Sequence, residues 1–69
     1  MDITAQFDDV DMAQAALVGL QSLGVFPRRY TMNAMRPGGT QLLLSIDDAS
    51  AGRARSALIS NHARRVRFV

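Results

Sequence analysis

An α+β sandwich with the element order β-α-β-β-α-β is what this sequence predicts, and three observations carry the reading. "DITAQF" and "QLLLSI" alternate apolar and polar residues, as strands with one buried face do. Two alanine-rich stretches place apolar residues at helical spacing, each directly after a strand-like run that ends in paired aspartates, "FDDVD" and "IDDAS". Between them "RPGG" separates two strand-like runs with turn residues.

Taken in order, residues 2–7 send Ile3, Ala5 and Phe7 to one side and Asp2, Thr4 and Gln6 to the other. An aspartate at 8 or 9 is placed to accept hydrogen bonds from the free N–H groups of a helix start, and Asp11 lies in the first turn, where negative charge is favoured. Val10, Ala13, Leu17 and Leu20, with Ala16 and Leu23 beside them, form the apolar stripe of that helix. Gly24 is its left-handed stop. "VFPRR" turns the chain back, and 29–35, "RYTMNAM", is a second strand with Tyr30, Met32 and Ala34 inward and Thr31, Asn33 and Met35 outward. After the turn at 36–39, Leu42, Leu44 and Ile46 face inward and Gln41, Leu43 and Ser45 outward.

The second helix buries Ala51, Ala54, Ala57 and Leu58, and the same stripe reaches His62. Gly52 weakens it modestly, Arg53 and Arg55 face solvent, and Asn61 helps to end it. The last strand, 64–69, turns Val66 and Phe68 inward and Arg65, Arg67 and Val69 outward.

This order is the ferredoxin-like, split βαβ pattern. Right-handed crossovers put both helices on one face of a sheet, with the fourth strand beside the first, the first beside the third and the second at the far edge. Residues 1–69 are read as one domain, near the lower size limit for an independent core.

Composition narrows the function classes. The chain has no cysteine, which excludes disulfides, thiolate metal sites and thiol catalysis. No apolar run spans a bilayer, and no basic segment precedes a hydrophobic stretch at the start, so no membrane role or secretory signal is expected and the cytoplasm is the default location. All eight basic residues are arginine, all six acidic ones aspartate, and the net charge is only +2. Such a balance suits nucleic acid only where the arginines cluster.

With both helices on one side, the open face carries the functional reading. It presents Thr4, Gln6, Thr31, Asn33, Met35, Gln41, Leu43, Ser45, Arg65, Arg67 and Val69. RNA-recognition sheets of this topology stack bases on aromatic rings, and none lies on the outward side of the central strands. What the face offers is apolar contact from Met35, Leu43 and Val69 among polar groups, oriented by Arg65 and Arg67. That suits a second copy or a protein partner, engaged through the open face or at an edge strand with unpaired backbone groups. The alternative is a phosphate grip by Arg28, Arg36, Arg64, Arg65 and Arg67, insensitive to base sequence and weakened by salt.

Chemistry-bearing residues are few. Asp8–Asp9 and Asp47–Asp48 are expected near one end of the sheet, where together they would attract a divalent cation; helix capping explains each pair more simply. His62 has no ligand at matching spacing and is expected to pack or to bond the last helical carbonyls. "RPGGT" lacks the lysine and the following helix of a phosphate loop. No metal, cofactor or catalytic residue is assigned.

"FDDVDMAQAALVGLQSLGV" resembles the first strand and helix of small ferredoxin-like regulatory modules, such as ACT-type domains and small stress-protein domains, which open with a strand, an acidic turn and an alanine-rich helix. The resemblance covers the topology of the chain, with "DDVD" standing where many ACT domains have an Asp-x-Pro-Gly turn. It implies a regulatory module that pairs side by side and holds a small effector at the interface. The paired cysteines of metal chaperones and the anion loop of acylphosphatases are both absent after the first strand. A non-catalytic interaction or regulatory module is the expectation.

Overall fold

Alternation in the sequence becomes a sheet whose strands differ in how well they are covered. The computed structural model describes residues 1–69. Strand β1 (Asp2–Phe7) leads to helix α1 (Val10–Ser22), then β2 (Arg29–Ala34), β3 (Thr40–Ser45), a single 3-10 turn (Asp48–Ser50), helix α2 (Ala51–Ser60) and β4 (Arg65–Phe68). The sheet order is β2-β3-β1-β4, antiparallel throughout, as the topology predicts.

Register fixes which side chains share a face. Ile3 lies between Leu44 and Phe68, and Ala5 between Leu42 and Val66, so these residues point together toward the helices. Ile3, Ala5, Phe7, Leu42, Leu44 and Ile46 form one buried cluster with Ala13, Ala16 and Leu20 of α1 and Ala54, Ala57 and Leu58 of α2. Alanines at the helix contacts let both backbones sit close to the sheet, and leucines from each helix fill the space between.

Both helices end in the same way. After α1 the Gly24 N–H donates to the Gln21 carbonyl at 3.0 Å and the Val25 N–H to the Leu20 carbonyl at 2.9 Å. Gly24 has φ +78°, which completes a Schellman motif, and buried Val25 supplies its hydrophobic contact. After α2, His62 and Ala63 make the equivalent bonds to Ile59 and Leu58, at 3.0 and 3.1 Å. Asn61 Nδ2 adds a bond to the Ala57 carbonyl at 2.8 Å.

Several sequence expectations need correction. His62 is not on the buried stripe: it is exposed and takes the left-handed position at φ 69°. Val10 and Leu23 are also exposed, because the sheet covers only the arc of α1 centred on Ala13, Ala16 and Leu20. Val25, read only as part of a turn, is in the core. Strand limits move by a residue: β2 stops at Ala34, β3 starts at Thr40, and β4 is confined to 65–68. Tyr30 and Phe68 have the inward parity expected, yet each is about half exposed, because the edge strands β2 and β4 extend beyond the helical cover.

Candidate functional site

The uncovered side of the sheet is built as rows of residues running across the strands. In one row Arg67, Thr4, Leu43 and Thr31 follow each other from β4 to β2; in the next, Arg65, Gln6, Gln41 and Asn33 do. A third row joins Asp2, Ser45 and Arg29, with Val69 beyond Asp2 through its N–H bond to the Asp2 carbonyl at 2.9 Å. Strand spacing of about 4.8 Å puts the two ends of a four-strand row roughly 14 Å apart. The expected open-face residues of the strands thus share one surface, with Arg65 and Arg67 along one margin. Met35, half-buried, lies just past the end of β2, where its N–H donates to the Gly39 carbonyl.

Apolar exposure on this surface is concentrated in Leu43 at 38% and Val69 at 79%. A depression of about 520 Å³ opens at the corner where β1 and β2 begin and β3 ends. Asp2, Arg29, Thr31, Leu43 and Ser45 line it from the face, and Tyr30 from the edge. It therefore places one carboxylate and one free guanidinium on either side of a polar and apolar floor.

The arginines do not act as one group. Arg28 pairs with Asp47 at 2.5 Å and Arg64 with Asp8 at 3.3 Å, all four side chains being largely exposed. Each of these carboxylates offsets the charge of an arginine assigned to anion contact. Arg36, Arg65 and Arg67 have no carboxylate within ion-pair distance. Of the arginines read from the sequence as anion contacts, these three retain their charge uncompensated, and only Arg65 and Arg67 lie side by side on the sheet.

The aspartate pairs are at opposite ends of the sheet, not the same one. Strands β1 and β3 are neighbours but antiparallel, so Asp8 follows the β1 end that meets Thr40, while Asp47 follows the β3 end that meets Asp2. They form no shared acidic cluster. Their local roles differ as well. Asp9 caps α1, accepting from the Met12 N–H at 2.8 Å. Asp47 makes no side-chain capping bond and is engaged by Arg28, and Asp48 stands 3.6 Å from the N-terminal ammonium. Sequence reasoning missed both long-range partners, since nothing in a local pattern announces a contact between residues 19 or more positions apart.

No protein-family model matches the chain, and no curated protein matches it in sequence. Among solved structures, the chain is similar to the regulatory subunit of aspartate kinase from Thermus thermophilus in its ligand-free form, with a TM-score of 0.72 and 16% identity. The match covers 96% of this chain and 48% of that one, so the chain spans about half the length of the subunit it resembles. At that identity the likeness establishes the fold: a small ferredoxin-like α+β unit of the kind that occurs in a regulatory subunit.

Proposed function

We propose that this chain is a non-catalytic regulatory or interaction module that works by self-association, through its open sheet face or an edge strand. The observation that carries the reading is the uncovered sheet, on which exposed Leu43 and Val69 sit among polar groups with Arg65 and Arg67 at the margin. Covering such a surface removes apolar area from water, while the arginines fix orientation more than they add affinity. The fold likeness to a regulatory subunit supports the regulatory part of the proposal. A cysteine-free chain of 69 residues also gains stability from association, since one small core supplies few kcal/mol.

Light scattering across protein concentration, at low and moderate salt, tests this. A defined oligomer free of nucleic acid is expected; a strictly monomeric chain that engages no partner protein would overturn it. One observation favours a second reading, in which the uncompensated Arg65 and Arg67 hold phosphates. That reading predicts copurifying nucleic acid which salt removes, with little dependence on base sequence.

A further inference from the structure

One edge of the sheet combines uncompensated charge, an uncovered ring and free backbone groups. Strand β4 sets Arg65 and Arg67 on the open side, both exposed and neither within ion-pair distance of a carboxylate. On its helix side Val66 is half-buried and Phe68 is 45% exposed. The Val69 N–H donates to the Asp2 carbonyl on the register line that joins β4 to β1. Hydrogen-bonded pairs alternate along an antiparallel ladder. Arg65 and Arg67 therefore bond to β1, and the N–H and C=O groups of Val66 and Phe68 point out from the free edge.

We infer that β4 takes up an extended acidic segment of a different protein as a fifth strand, antiparallel to β4, in which aspartate or glutamate alternates with apolar residues. This goes beyond the self-association proposed above by adding a second kind of partner. Apolar residues of the segment lie opposite Val66 and Phe68, exchange about four hydrogen bonds with them and cover the Phe68 ring. Acidic residues lie opposite Arg65 and Arg67. Those are the non-hydrogen-bonded pairs of the new ladder, where side chains on two antiparallel strands come closest and opposite charges attract. Backbone and side chains thus ask for the same alternation in the same register.

The chain holds no such segment itself, so the occupant is not a second copy. Asp2 lies in β1, inside the sheet between β3 and β4, and the other five aspartates flank the starts of α1 and of the 3-10 turn. Two copies of β4 paired antiparallel so that Val66 is engaged bring arginine opposite arginine, which is destabilising. The charge that keeps this edge from its own copy is the charge that selects an acidic partner. A nucleic-acid strand would meet the two arginines with its phosphates. It would not supply the regular N–H donors that the carbonyls of Val66 and Phe68 present for bonding, nor the alternation that their spacing asks for.

Nuclear magnetic resonance titration of the full chain with a capped peptide of alternating glutamate and valine tests this. The Val66 and Phe68 amide signals should shift and their exchange with solvent should slow, while the amides of β2 stay unchanged. The same peptide N-methylated at every valine keeps its charge but loses the donors that face β4, and its binding should fall about tenfold or more. The double variant Arg65→Glu, Arg67→Glu should lose the glutamate peptide and gain a lysine–valine peptide, a rescue that also shows the variant to be folded. No response at Val66 and Phe68 would overturn the proposal. So would binding that ignores N-methylation, or an oligothymidylate that binds more tightly than the peptide; either result would favour the phosphate reading of Arg65 and Arg67. Light scattering of the chain alone, the test of self-association, is independent of all these results.

Discussion

Gly39 lies so close to Phe7 that a Cβ on the glycine would stand 2.7 Å from the Phe7 carbonyl oxygen. The turn between β2 and β3 is therefore pressed against the end of β1, and Gly39 also has φ +100°. Gly24 shares the positive φ but has open space where its Cβ would go. Gly24→Ala should cost about 1 kcal/mol, the left-handed backbone penalty alone. Gly39→Ala should cost more, roughly 2–4 kcal/mol, because backbone atoms must also move. Chemical denaturation of the two variants checks the order; equal losses would mean that the turn shifts freely away from β1.

The two aspartate pairs look alike in sequence and should respond differently. Asp9→Ala removes the Met12 cap and is expected to cost about 1 kcal/mol at any salt concentration. Asp47→Ala removes an exposed ion pair with Arg28, worth roughly 0.2–1 kcal/mol at low salt and less as salt rises. Denaturation midpoints for both variants at two ionic strengths distinguish a cap from a screened pair.

Phe7 is the largest fully buried side chain, at the end of β1 beside the β2–β3 turn and in the core cluster that includes residues of both helices. Truncation of a buried phenylalanine costs about 3–5 kcal/mol. A core this small supplies about that much net stability. Phe7→Ala should consequently leave the chain largely unfolded at 25 °C, seen as loss of far-ultraviolet ellipticity. A folded variant with a modest midpoint shift would show that association contributes stability the core does not.

The strands, both helices and the sheet order were legible because each rests on a repeating pattern: period two in "DITAQF" and "QLLLSI", helical spacing through Ala13, Ala16 and Leu20. Face assignments on all four strands followed from parity. What parity does not carry is coverage. Phe68 and Tyr30 point to the helix side as expected and still meet solvent, since two helices are narrower than four strands. The open face was readable for the same reason as the core, while the neutralisation of Arg28 and Arg64 was not. Those pairs join Asp47 and Asp8 across the fold, and the pairing of β2 with β3 and of β1 with β4 decides which aspartate meets which arginine. Val25 was hidden because a helix stop draws attention to its glycine, although the residue after it closes the motif by packing inward.

His62 offers a direct gain in stability. It occupies the left-handed position after α2 at φ 69°, the place that Gly24 takes after α1, and its side chain is exposed. A β-carbon in that conformation costs about 1–2 kcal/mol relative to glycine, and glycine's extra freedom in the unfolded chain returns part of the difference. The backbone bonds from residues 62 and 63 to Ile59 and Leu58 need no imidazole. His62→Gly should therefore raise stability by about 0.5–1 kcal/mol, a shift of several degrees in Tm for a chain of this length. A loss of stability instead would mean that the imidazole makes a contact essential to the end of α2, and would return the histidine to consideration as a functional group.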